Sequence, residues 1–421
     1  MNVFRLTVNG RVRGIHVALI LVLLLSPRLA QAQRALPAAL ADPAVSAALA
    51  AVDARRDETA RWLPEIGGIV SPSGQEHERA RAVAAEMTRI GLTGVTVDAA
   101  PNVVGRIPGR SGKALIFVST LDDLATVAVH QRATVAQPRL DGDRVVGPGT
   151  NTSTTTAALV AAADALIESG LQPEHDLVFA AVAQEETGLK GMQALYAQWK
   201  DRAVAFVDVL GDGHSVTYGA ITIHWWKVVA GGPPGHSLNG GVPNVNQGIG
   251  RAVDRILQLP HPDRHRDQRV VVNVAMLQSG AVYNHKPADG WFSLDIRSLE
   301  SALVTEVEEE VRKILAQVTS ETTIRFEMEP FQLTEGGQIP GLRESALVTT
   351  AEAISKHLGY EARLGNAGSA NMNVPLGQGS AAIGIGGERG GQRGFPDEWG
   401  DIPQMMRTAK YLVLLAATIG R

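Results

Sequence analysis

Leu177-Val178-Phe179-Ala180-Ala181-Val182-Ala183 runs directly into Gln184-Glu185-Glu186-Thr187-Gly188-Leu189-Lys190-Gly191. An unbroken apolar run of this length, closed by a polar turn with glycine, reads as a strand buried on both faces. Two adjacent carboxylates then stand at its C-terminal end, where open α/β sheets carry their chemistry. One such carboxylate can hold a metal ion while its neighbour takes a proton from a metal-bound water. The opposing reading is a helix start with two acidic residues favoured by the helix dipole.

Working outward, the same alternation recurs. Asp42 to Leu63 reads as one helix, with Asp42 as N-cap and Pro43 in the first turn. Ser71-Pro72-Ser73-Gly74 breaks the pattern, and Glu76 to Ile90 is a second helix ended by Gly91. Val95 to Val97 and Asn102 to Arg106 read as short strands, and Ala114 to Val118 as a buried strand ending at Ser119-Thr120-Leu121-Asp122. Gly147-Pro148-Gly149 opens a helix over Thr156 to Glu168, with the threonines of 150–156 as capping residues. From residue 219 the rhythm changes to strand 221–230, helix 245–259, strands 270–277 and 290–297, an amphipathic helix 302–318 and strand 323–329. That β-α-β-β-α-β order predicts a ferredoxin-like unit with its own core. The first rhythm resumes near residue 331, with a helix over 346–358, a strand over 381–385 and a helix over 402–419. The expected fold class is therefore α/β, a mixed sheet sandwiched by helices and interrupted by an inserted ferredoxin-like unit. The expected boundaries are 1–32 for a leader, 37–218 and 331–421 for the two parts of the main domain, and 219–330 for the insert.

Bulk properties narrow the function classes. The chain has 421 residues, 45% hydrophobic and 19% charged, with a formal net charge of −4. A chain this long can build two cores, and its charge gives no basis for nucleic acid or an anionic membrane as partner. Pro260 to Arg266 mixes prolines and both charge signs and reads as a solvated loop. The absence of cysteine excludes disulfides, thiolate ligands, a cysteine nucleophile and a lipoprotein anchor. Arg5, Arg11 and Arg13 precede a short apolar run from His16 to Leu25, and Ala30-Gln31-Ala32 has the small-x-small spacing of a cleavage site. Cleavage after Ala32 would give a periplasmic or secreted protein with no membrane attachment; an uncleaved anchor is the alternative.

Several stretches, taken in order, resemble a known family. They are Glu65, Ser71 to Glu76, Asn102 to Arg106, the glutamate pair, Gly231 to Ser237, Asn284, Asp295 to Ser298, Gly368 to Asn373 and Glu398-Trp399. Together they are similar to the di-zinc metallopeptidases that include aminoacylase, glutamate carboxypeptidase and succinyl-diaminopimelate desuccinylase (peptidase family M20). The resemblance implies Glu185 as general base and Glu186 as zinc ligand. It implies His236 as an oxyanion donor reaching a partner subunit's site, and Asn284 and Arg297 near substrate carbonyl and carboxylate groups; the alternatives are a loop histidine capping its turn at His236 and an ion pair of Arg297 with an acid such as Asp295 or Glu300. It further implies a homodimer formed through the insert, and a small peptide, N-acyl amino acid or similar carboxylate-bearing molecule as ligand.

The remaining zinc ligands of the family fall on unsuitable residues. Its first histidine aligns with Thr120, two before Asp122; its bridging aspartate with Thr152; a third acid with Leu210; its last histidine with Gly394. An aspartate of the family becomes Asn371. Threonine, leucine and glycine cannot supply imidazole or carboxylate donors, and a two-metal site needs a shared carboxylate between its ions. Glu186 with Asp208, Asp212 or His214 could hold a single ion, so full di-zinc occupancy is not expected. Loss of two dications would leave clustered carboxylates in mutual repulsion, which the changes to Thr152 and Asn371 lessen. Three functional readings stand at this point. The first is an amide or peptide hydrolase with one metal or a rearranged site. The second is a non-catalytic relative that binds a ligand or partner. The third is metal-free chemistry by a hydroxyl of 150–156 with Glu185 as base.

Overall fold

The computed structural model describes residues 35–134, 137–210, 216–259, 267–361, 363–387 and 389–421. The basic and apolar leader, the loop 260–266, Asp212 and His214 lie outside the described residues.

A mixed eight-stranded sheet forms the main body. Its order is Thr93–Val97, Val103–Ile107, Asp176–Val182, Ala114–Thr120, Ala203–Asp208, Ala382–Ile385, Val216–Thr217, Leu364–Gly365. The four strands from Asp176–Val182 to Ala382–Ile385 run parallel, so their C-terminal ends share one edge. Ala114–Thr120 and Asp176–Val182 are buried at every position, as central parallel strands with covered faces must be. The helices Thr150–Glu168 and Ile402–Thr418 pack against each other within the same apolar core, which includes Leu159, Leu166, Leu412 and Leu415.

The inserted unit has its own core, with Val228, Ile249, Phe292, Ile296, Val311 and Ile324 at its centre. Its antiparallel sheet is ordered Val271–Asn273, Asp289–Ser298, Thr222–Gly231, Arg325–Thr334, with Leu277–Ser279 also on Asp289–Ser298. This is the ferredoxin-like arrangement expected from the sequence. Helices Val245–Ile256 and Ser301–Thr322 cover one face of that sheet. Alternate residues of its strands, such as Trp225, Lys227, Trp291 and Ser293, stand on the other face.

Several boundaries differ from the sequence reading. The single helix expected over 42–63 is two, Pro43–Ala54 and Arg56–Gly68. Arg55 closes the first, and its guanidinium turns away to Asp164 and Glu168. The strand expected over 270–277 is split, because 274–276 loops out between its two pieces. The helix expected from Thr156 begins at Thr150, and its N-cap is Gly149 at φ +90° instead of a threonine. No described helix is long and apolar enough to cross a membrane.

Candidate active site

Four strand ends converge on one cleft. After the strand Asp176–Val182, Gln184 takes φ +55° and turns the chain so that the amides of Glu185 and Glu186 face inward. Both donate to the carboxylate of Asp122, at 2.9 and 3.0 Å. Asp122 follows the neighbouring strand Ala114–Thr120 and also accepts from the hydroxyl of Ser73. It is fully buried, and burial raises its pKa to about 6 against the lowering effect of Ser73 and the two amides. The retained aspartate thus fixes the glutamate pair through their backbone. Glu76, buried on the facing helix cap, adds an acceptor for the amide of Gln184 at 2.9 Å.

Asp123, next in sequence, points the other way and forms a buried ion pair with Arg79 at 2.7 Å. Burial raises its pKa, and Arg79 opposes that rise. Glu398 binds three backbone amides, those of Gly149, Asn151 and Gly394, each at 3.0 Å. Its carboxylate therefore caps the helix Thr150–Glu168 and holds the loop 390–394 in place. The threonines donate backward within that helix or to the next strand, Thr155 to the carbonyl of Thr152 and Thr156 to that of Thr120. None is set as a cap, which corrects the capping expectation.

The cleft has a volume of about 310 Å³. Glu185, Glu186, Leu210, Ser369, Arg389 and Arg393 line its main-body side. Ile223, Trp225, Arg297 and Gln332 line it from the inserted unit. The guanidinium of Arg393 is hydrogen-bonded to the Glu186 carboxylate, with side chains only 31% and 20% exposed. Burial works against the charge of Arg393, but Glu186 and Glu185 outweigh it and raise its pKa. Burial and the nearby Arg393 lower the pKa of Arg389 to about 10, although Glu185, Glu186 and Asp208 pull the other way. Burial, then the charges of Glu186 and Asp122, push the carboxyl of Glu185 well above its ordinary range, with Arg393 opposing. Glu185 consequently keeps a proton into conditions where a free glutamate has lost it.

The positions expected to lack family ligands are occupied by other bonds. Thr120 accepts from the side-chain amide nitrogen of Asn371 at 2.9 Å. Thr152 is buried in the first turn of its helix. Gly394 sits at φ +87°, a conformation that strains any residue with a Cβ. Leu210 places a hydrocarbon wall in the cleft. Asp208 is buried, and its two oxygens accept from the amides of Leu210 and Met372, both at 3.0 Å. Among the described residues, no group of three His, Cys, Asp or Glu side chains is arranged to hold a metal ion. Among the described residues, the donors around the cleft do not fit the pair of zinc ions that the resemblance implies: Thr120, Thr152 and Gly394 offer neither imidazole nor carboxylate, and Glu186 faces a guanidinium.

His236 and Asn284 are elsewhere. The Nδ1 of His236 accepts from the amide of Leu238 at 3.1 Å, and its Nε2 meets the side-chain nitrogen of Asn284 at 3.0 Å. Neither residue lines this chain's own cleft. Arg297 does, while paired to Asp295 at 2.9 Å. The sequence reading missed Arg389 and Arg393. Both sit in the glycine-rich stretch Gly386 to Gly394, where attention to the missing histidine at Gly394 hid the cation one residue before it.

Comparison with known proteins agrees with the geometry of the scaffold. Residues 128–418 match the family described as Peptidase family M20/M25/M40. Carboxypeptidase G2 of Pseudomonas sp. strain RS-16 is 24% identical over 274 residues, which are 63% of this chain and 64% of that protein. The match thus spans under two thirds of that relative. A tripeptidase from Staphylococcus aureus superposes with a TM-score of 0.73 at 17% identity, over 87% of this chain and 99% of its own. A Bacillus subtilis protein described as a dinuclear metal-binding peptidase of the M20 family superposes with a TM-score of 0.63 at 14% identity, over 87% and 99% of the two chains.

Proposed function

The chain belongs to peptidase family M20/M25/M40, and from that premise we propose that it is an exported binding protein for small carboxylate-bearing amides, such as peptides or N-acyl amino acids, in which two arginines have replaced metal-borne hydrolysis. The observation that carries this reading is the Arg393–Glu186 pair. A guanidinium lies against the carboxylate that the resemblance assigns to zinc, with Arg389 behind it. Two cations neutralise the acidic floor that would otherwise repel a ligand carboxylate. Guanidinium groups suit a carboxylate because their planar donors match its two oxygens. Export rests on the basic and apolar start and the small residues before Gln33. A homodimer through the insert would bring His236 and Asn284 to the neighbouring cleft, which neither reaches within its own chain.

Titration calorimetry of the full chain with N-acetylglycine and glycylglycine tests the proposal. Binding without release of amine, whether or not zinc is added, is the expected result. Arg393→Gln is expected to weaken binding about tenfold or more, the worth of a charge-assisted hydrogen bond. Hydrolysis of either compound that scales with added zinc contradicts the proposal.

A further inference from the structure

The face of the inserted sheet that carries no helix holds a second cavity of about 320 Å³. Its walls are apolar and largely aromatic: Trp225, Trp291, Phe331 and Met276, with Lys227 at one side. Phe331 is 64% exposed and Met276 54% exposed, so no described element covers them. Large apolar side chains left open together in a concave site mark a ligand or partner surface.

The position of this cavity relative to the cleft says which. Trp225 lines both. Trp225 pairs in register with Asp295 on one side and Gln332 on the other. Asp295 lines the aromatic cavity and binds Arg297, which lines the cleft and lies 5.8 Å from the Trp225 ring. One row of side chains thus divides two adjoining hollows on the same sheet face. Two polar atoms at that row have no hydrogen-bond partner: Nε1 of Trp225, a donor, and Oε1 of Gln332, an acceptor. A donor and an acceptor on register-paired residues are what a single amide group would satisfy through its carbonyl and its N–H.

We infer that the aromatic cavity is the subsite for a bulky hydrocarbon or aromatic acyl group of the ligand. The ligand amide crosses the Trp225–Gln332 row, and its carboxylate meets Arg389 and Arg393. The inference rests on the binding function proposed above and adds its specificity: N-arylacyl or long N-acyl amino acids over short ones. Trp225 and Phe331 stand nearly stacked, with ring centroids 6.3 Å apart, and Trp291 supplies a third ring wall. Such rings favour flat or extended apolar groups.

The test compares N-phenylacetylglycine with N-acetylglycine by titration calorimetry on the full chain. The phenylacetyl compound is expected to bind at least about tenfold more tightly, the scale of burying one aromatic group. Trp291 and Phe331 line the aromatic cavity and not the cleft, although Phe331 stacks on Trp225, which lines both. Trp291→Ala and Phe331→Ala should each remove most of that advantage, and Trp291→Ala should leave N-acetylglycine unchanged. Arg389→Gln should weaken both compounds alike. Equal affinity of the two compounds, or variants at Trp291 and Phe331 that leave the advantage intact, overturns the subsite while the cleft reading stands. An advantage lost in those variants, with Arg389→Gln leaving the affinity of both compounds unchanged, upholds the subsite and overturns the carboxylate position. Absence of binding by both compounds overturns both. Sedimentation of Trp291→Ala closes the remaining route: dissociation of an oligomer with unchanged ligand binding means that a second copy occupies this face, and the inference falls.

Discussion

Arg393 shows at the scale of one residue what a guanidinium brings to a cleft lined by carboxylates. A guanidinium and a divalent ion both neutralise Glu186, but only the ion can lower the pKa of a water and polarise a carbonyl. The guanidinium offers directed donors in its place. Removing it should therefore cost stability as well as binding. Arg393→Ala would leave Glu186 beside Glu185 with Arg389 as the only guanidinium lining the cleft near them. The expected loss is about 2 kcal/mol, discounted from the roughly 3–5 kcal/mol of breaking a fully buried pair because both side chains are partly exposed. Urea unfolding measures it, with Arg393→Lys expected to recover part of the loss. An unchanged midpoint for Arg393→Ala would show that the pair contributes nothing. Glu185 and Glu186 were legible in the sequence, because an apolar run ending in two acids has few other readings. Arg393 was not, because its role depends on a loop that folds back across some 200 positions of sequence to meet Glu186.

Among the elements, the long strands and amphipathic helices were visible from periodicity alone, and the β-α-β-β-α-β order of the insert emerged from it directly. What periodicity could not see was a cap supplied from far away. The helix Thr150–Glu168 starts on Gly149 and takes its capping carboxylate from Glu398, so the threonine run, which looked like a local cap, is free to be buried. The break at Arg55 was hidden for the same reason, since its partners lie on another helix. The insert also joins its strand Thr222–Gly231 to the helix Ser301–Thr322 through a buried histidine. His224 is 7% exposed, meets Glu308 at 2.6 Å and lies 3.4 Å from Glu335. Burial opposes its charge, yet the hydrogen bond and charge of Glu308, helped by Glu335, raise its pKa above 6.5. A histidine whose folded pKa is raised adds stability that is full below the unfolded pKa and lost as pH rises through the folded one. Thermal unfolding should therefore show wild type losing stability relative to His224→Gln as pH rises above about 6.5. Parallel pH dependence of the two proteins would remove this ion pair from the account.

For the whole molecule, the chain keeps the fold of peptidase family M20/M25/M40 and sets two arginines beside its glutamate pair. The mixed sheet still gathers four parallel strand ends at one edge. The inserted unit still closes over that edge with Arg297, Trp225 and Gln332. The mismatch of Thr120, Thr152, Leu210 and Gly394 with the family's ligands is an expectation from sequence, since each is a single position. The bonds made nearby could not be read there, since Asn371 on Thr120 and Arg393 on Glu186 are pairings that only the folded chain creates. The central claim is that arginine, and not zinc, balances the charge of Glu186. Its most direct test is elemental analysis of the purified chain after equilibration with excess zinc and removal of free metal. The account predicts well below one zinc per chain, with no gain in thermal stability from the metal. Two zinc ions per chain, bound tightly enough to survive that removal and lost in Glu186→Gln, would contradict it.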